Sequence, residues 1–115
     1  MWPLSAATRI YLAQGVTDMR KSFNGLYACV TAVLKRDPLT GHLFIFCNRR
    51  RNRVKVFYWD GSGFWVCAKR LERGRFAWPD RETLRGEELT LLLGGIDLKN
   101  TREKKWHRIL NEVAE

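Results

Sequence analysis

Two β-prone runs, Val54 to Trp59 and Phe64 to Arg70, are joined by Asp60-Gly61-Ser62-Gly63, and this pairing limits the fold more than any other feature of the chain. Glycine tolerates the positive φ of a tight turn, so the joint reads as a hairpin. Placing Trp59 opposite Phe64 sets the register: Tyr58 faces Trp65, Val56 faces Cys67, Val54 faces Lys69, and Arg53 falls opposite Arg70. A third run, His42 to Cys47, precedes them across the polar loop Asn48-Arg49-Arg50-Arg51-Asn52-Arg53. Side chains alternate across a strand, so one face holds Leu43, Ile45, Cys47, Val54, Val56, Tyr58, Trp65 and Cys67. The other holds Phe44, Phe46, Lys55, Phe57, Trp59, Phe64, Val66 and Ala68. An antiparallel sheet with one solvated face alternates apolar with polar, and this one does not. The second face therefore also needs a cover: a helix, another subunit or a ligand.

Two layers of helix are available. Arg9 to Ala13 reads as a short first strand ended by Gly15, after which Thr17 and Asp18 offer side-chain oxygens to cap a helix. That helix carries Phe23, Leu26, Tyr27, Val30, Val33 and Leu34 on one stripe and ends at Asp37-Pro38, because a residue before proline avoids the helical region. Gly86 to Leu93 reads as a second, short helix with Leu89, Leu92 and Leu93 inward, stopped by Gly94-Gly95. From Thr101, Trp106, Ile109, Leu110 and Val113 fall at helical spacing, with Arg102, Lys104, Lys105 and Arg108 beside them. The first helix and a C-terminal helix can each supply one layer. A dimer interface or a base-stacking surface is the alternative cover. The reading is a single α+β domain over residues 1–98, a small antiparallel sheet flanked by helices, with a basic amphipathic helix or tail over 99–115.

Charge narrows the partners. Arg49 to Arg75 holds nine Lys or Arg against Asp60 and Glu72, which is +7 of the chain's +9. Such a field attracts polyanions. Arginine's planar fork grips phosphate oxygens in pairs, and Gly74 lets backbone amides approach. The phosphate-holding candidates are Arg49, Arg50, Arg51 and Arg53 in the loop and Lys69, Arg70, Arg73 and Arg75 after the hairpin. Arg20 and Lys21 form a second contact point, and Trp59 and Trp65 are candidates for stacking on bases. The competing readings are a solvated edge protected by its charges, and strand tryptophans that belong to the core.

Catalytic signals are weak. Asp18, Asp60, Asp80 and Asp97 each sit at a turn or helix end, His42 and His107 have no Cys or His at metal-ligand spacing, and no Walker A or dinucleotide glycine pattern occurs. A metal-independent ribonuclease built on Arg70, Arg73, Arg75, Glu72 and Tyr58 stays as an alternative. Neither metal nor cofactor is expected. Cys29, Cys47 and Cys67, an odd count without a CxxC, read as small hydrophobes in a reducing compartment. With no membrane-length apolar run and no signal pattern, the expected location is the cytoplasm.

Several segments together resemble one family. Gly15 to Phe23 is similar to the G-x-T-D-M-R-K-x-F opening of the TnpB accessory proteins of the insertion sequence 66 family. Gly41 to Phe46 resembles their G-x-L-F-x-F strand, Trp59 to Gly63 their W-D-G-x-G hairpin, Lys69 to Pro79 their K-R-L-E-x-G-R-F-x-W-P run, and Leu89 to Asp97 their Leu-rich helix ending in G-I-D. The likeness spans roughly residues 5–98. It implies a transposon-encoded protein that works beside a separate DDE transposase and a third element protein, and it brings no catalytic residues. The expectation is a DNA-binding accessory subunit that is not itself an enzyme. The alternatives are a module that binds only the transposase, and the ribonuclease. A homodimer is a further expected association.

Overall fold

A computed structural model describes residues 5–100. Five strands, β1 (Ile10–Leu12), β2 (Leu43–Cys47), β3 (Arg53–Trp59), β4 (Phe64–Arg70) and β5 (Thr83–Leu84), form one sheet in the order β4-β3-β2-β1-β5. The β3–β4 register is the one expected, from Trp59 opposite Phe64 through to Arg53 opposite Arg70. Asp60 fixes it. Its Oδ1 accepts from the backbone amides of Ser62 (2.9 Å) and Gly63 (3.0 Å), and its Oδ2 accepts from the Trp65 indole at 2.7 Å. Those bonds, the Ser62 amide foremost, hold the carboxyl down at about 2.

The α+β class stands, and the sheet within it is mixed rather than wholly antiparallel. β1 pairs parallel with β2, Ile10 opposite Leu43, while every other pairing is antiparallel. Parallel neighbours need a crossover, and the connection from β1 to β2 carries helix α1 (Phe23–Ala28).

Both sheet faces are covered within the chain. Leu43, Ile45, Cys47, Val54, Val56 and Tyr58 pack with Phe76, Leu84, Leu89 and Leu92, so helix α2 (Gly86–Leu93) and the segment leading to it close one side. Phe44, Phe46 and Phe57 pack with Tyr11, Leu26 and Val30 under α1. The amphipathic helix expected from Thr101 lies outside the described residues.

Two expectations about α1 fail. Its start is not capped by Thr17 or Asp18: the helix begins at Phe23 after Ser22, with no side-chain cap. Thr17 is buried and donates its N–H to the Cys47 carbonyl (2.9 Å), while Asp18 accepts the Arg20 amide at 2.9 Å in a local turn. The six-residue stripe is also broken. Leu26 and Val30 are buried, but Phe23 and Tyr27 are exposed and Val33 is 70% exposed. A π-helical turn, Cys29–Val33, with Leu34 N–H bonded to the Cys29 carbonyl, adds a residue to the turn and rotates Val33 outward.

At α2, Glu88 is buried and accepts from the Arg85 amide (3.0 Å), from Arg85 Nε (3.3 Å) and from the Arg81 guanidinium. Burial pushes its carboxyl up, but the Arg85 amide and Arg81 outweigh it, so the net shift is below the ordinary 4.5. A depressed folded value gives stability that is present above the unfolded value and lost as pH falls through the folded one. Glu88→Gln should therefore lower stability by roughly 1.5–3 kcal/mol at pH 7, the range for a hydrogen bond to a charged group. Urea melts should show that difference shrinking as pH falls below the ordinary 4.5; a gap that does not shrink in acid would contradict the account.

Candidate nucleic-acid interface

The loop between β2 and β3 is built by asparagine. Asn48 Oδ1 accepts the N–H groups of Asn52 and Arg53, both at 3.1 Å, and its Nδ2 donates to Asn52 Oδ1 at 2.8 Å. Arg49 and Arg50 are left exposed at the tip. Arg51 takes a φ of 56°, a left-handed conformation that few non-glycine residues adopt.

That conformation turns Arg51 away from its neighbours. Its Cζ lies 5.2 Å from the Trp78 ring centroid, and Nη2 donates to the Gln14 carbonyl at 3.4 Å. Burial pushes the Cys47 thiol up, and the neighbouring Arg51 guanidinium offsets part of that. Of the loop's four arginines, Arg51 is thus a brace between the loop, the 76–78 segment and β1's exit, rather than a surface charge.

The second basic run is tied to the first by backbone. The Leu71 amide donates to the Asn52 carbonyl (2.8 Å) and the Phe76 amide to the Arg51 carbonyl (2.6 Å). Gly74, at a φ of 74°, lets the chain double back so that Phe76 enters the core at 2% exposure. Arg49, Arg50, Arg53, Lys69, Arg70, Arg73 and Arg75 are all exposed at this one end of the hairpin, opposite the Asp60 turn. Some of this charge is compensated. Lys69 Nζ donates to the Leu93 carbonyl closing α2 (2.7 Å), and Arg70 pairs with Glu72 at 2.9 Å. Arg70, and then Arg53, hold the Glu72 carboxyl below its usual value. Arg49, Arg50, Arg73 and Arg75 have no side-chain hydrogen bond or ion pair among the described residues.

Arg53 opposite Arg70 is a like-charge cross-strand pair, whose repulsion Glu72, ion-paired to Arg70 and close to Arg53, relieves only in part. Beside it, Met19, Arg53, Lys55, Lys69 and Arg70 line a shallow cavity of about 280 Å³. Met19 brings the Asp18–Lys21 turn to the edge of this surface, where Lys55 Nζ donates to the Lys21 carbonyl at 2.7 Å. Arg20 is held bidentate by Asp18, with Nη2 to Oδ2 at 2.7 Å, and that hydrogen bond keeps the Asp18 carboxyl at about 2. Lys21 contributes its carbonyl here, and Arg20's charge is already paired.

The residues of the ribonuclease alternative do not gather. Tyr58 is buried and stacks on Trp65, with ring centroids 6.3 Å apart, at the turn end of the strands. Glu72 lies beyond Arg70 at the other end, about five residues or ~17 Å away along β3. Among the described residues no three His, Cys, Asp or Glu side chains group as a metal site, and no helix is long and apolar enough to cross a membrane. His42 Nδ1 accepts the Arg9 amide (2.9 Å), a structural contact. The sequence reading missed Asn48 and Trp78, although an asparagine on each side of three arginines is a readable sign of side-chain-built turns.

Fold and surface define a small basic α+β domain that, among the described residues, gathers unpaired arginines at one end of a hairpin. The chain belongs to the family described as IS66 Orf2-like protein, whose model matches residues 8–103. That family implies a transposition-associated accessory role. Two relatives come from Sinorhizobium fredii: the uncharacterized protein y4hO is 41% identical over 107 residues, covering 90% of this chain and 93% of the relative. The uncharacterized protein y4jC is 36% identical over 104 residues, covering 87% and 89%. No solved structure matches.

Proposed function

We propose that this protein binds DNA through the cationic end of the β3–β4 hairpin and serves as a non-enzymatic accessory subunit beside a separate transposase. The observation that carries the reading is the joining of two basic segments by the Leu71–Asn52 and Phe76–Arg51 hydrogen bonds, with Arg53 opposite Arg70 between them. Such a cluster is unfavourable to hold together in water, and phosphates relieve it. Arg49, Arg50, Arg53, Arg73 and Arg75 are the phosphate contacts, with Arg70 recruited from Glu72 when an anion arrives. Phosphate contacts give affinity and register without reading sequence, so discrimination between the insertion-sequence ends and other DNA falls to the transposase or a third element protein.

A salt titration of duplex binding tests this. Five to six phosphate contacts give a log–log slope of about −4.5 to −5.5, equal for element-end and random duplex. A flat slope would remove the phosphate-clamp reading.

A further inference from the structure

β4 is an edge strand of seven residues, and its outer edge is open. The phase of the ladder follows from two bonds: the Asp60 amide donates to the Gly63 carbonyl and the Leu71 amide to the Asn52 carbonyl. Trp65, Cys67 and Lys69 therefore turn their N–H and C=O groups toward β3. Those of Phe64, Val66, Ala68 and Arg70 point outward, and among the described residues they have no partner. Natural edges are usually blunted by proline, a bulge, short length or an inward charge. β4 has no proline, runs unbroken, and carries charge only at its last two residues, Lys69 and Arg70. Exposed aromatic surface flanks it on both sides. Trp65 is 52% exposed, and Tyr27, 39% exposed, stands edge-on to Phe64.

We propose that β4 pairs antiparallel with β4 of a second copy of this chain, about a two-fold axis at Cys67, joining two five-stranded sheets. Full overlap of the seven residues fixes this register. Val66 then meets the second copy's Ala68, and Phe64 its Arg70, through the outward-pointing amides. Trp65 faces Lys69, and Cys67 faces Cys67, at positions between those hydrogen bonds. No like charges are opposed. Each cation lies against an aromatic ring, a favourable pairing, and the Arg70 end of each strand lies beside the other copy's Asp60 turn. The occupant is a second copy because the strand's own sequence supplies this complementarity: apolar in the middle, aromatic at one end, cationic at the other. Directly opposed cysteines at such a position have Cα atoms ~4.5 Å apart, within the range a disulfide spans.

The test uses the full chain without DNA, so its failure leaves the DNA-binding reading untouched. Sedimentation under reducing conditions, from about 1 to 100 μM, the affinity range of weak specific association, should show a dimer twice the chain's mass. Diamide, which takes one hydrogen from each thiol as the disulfide forms, should give a reducible cross-linked dimer. Cys67→Ser should abolish that product, whereas Cys29→Ser and Cys47→Ser keep it. Ala68→Pro removes an outward N–H without touching the β3 ladder, and should weaken dimerisation about tenfold or more with unchanged circular dichroism. Should the proline variant misfold, the cysteine comparison still decides. A monomer throughout the concentration range overturns the proposal, as does a dimer that cross-links through Cys29 or Cys47, or that gives no Cys67 product.

Discussion

Changing Arg50, Arg53, Arg73 and Arg75 together to Glu is expected to lower affinity for duplex DNA by about 10³-fold at 0.1 M salt, and to flatten the salt dependence. Each phosphate contact contributes about 0.9 to the log–log slope, so losing four removes roughly 3.6. All four side chains are exposed and none anchors the fold, so circular dichroism and thermal midpoint should stay near wild type. Arg51→Glu separates architecture from charge. Its side chain lies over Trp78 and reaches the Gln14 carbonyl, so its loss should lower stability first and DNA affinity through the loop's shape. Filter binding or fluorescence anisotropy measures the loss. If the quadruple variant keeps wild-type affinity and slope while co-purification with the transposase fails, this end of the hairpin is a protein-docking surface instead.

The relation of Arg51 to its neighbours marks the limit of what the sequence discloses. The hairpin was legible because two local rules act together: the short Asp60–Gly63 turn fixes the register, and alternation then sorts every side chain to a face. From that register the meeting of the two basic segments followed, since Arg53 and Arg70 had to be opposite. Three consecutive loop arginines, Arg49 to Arg51, carry no comparable period. Whether Arg51 points with Arg50 or against it depends on Trp78, twenty-seven positions away, and on a left-handed backbone that composition does not announce. The parallel β1–β2 pairing was hidden for a similar reason. A three-residue strand gives no directional signal, and its partner is chosen by where α1 can pack. From α1 onward an ideal 3.6-residue period predicted a stripe that the wide turn following α1 breaks at Val33.

Trp59 and Trp65 were open to two readings, nucleic-acid stacking and core, and a substitution at Phe57, two residues before Trp59, measures what the core layer of the same strand contributes. Phe57 is fully buried on the middle of β3, stacked on Phe64 with centroids 4.8 Å apart, and paired opposite both Phe44 and Val66. Phe57→Ala leaves a void that neighbours on two strands and α1 cannot fill without shifting backbone. It is expected to cost about 3–5 kcal/mol, as large-to-small changes at buried aromatics do. Against a total near 5–15 kcal/mol for a domain of this size, that removes a large share of the stability. The thermal midpoint should fall by roughly 12–40 °C at the usual 4–8 °C per kcal/mol. Trp65→Ala, at a half-exposed site, should cost far less than Phe57→Ala, chiefly through the lost hydrogen bond to Asp60. Denaturant melts of the two variants make the comparison. A Phe57→Ala protein as stable as wild type would mean that the layer between the sheet and α1 is not packed as described. Because Phe57 shares β3 with Arg53, weakened DNA binding in that variant at temperatures where it remains folded would show that the cationic end depends on this layer for its shape.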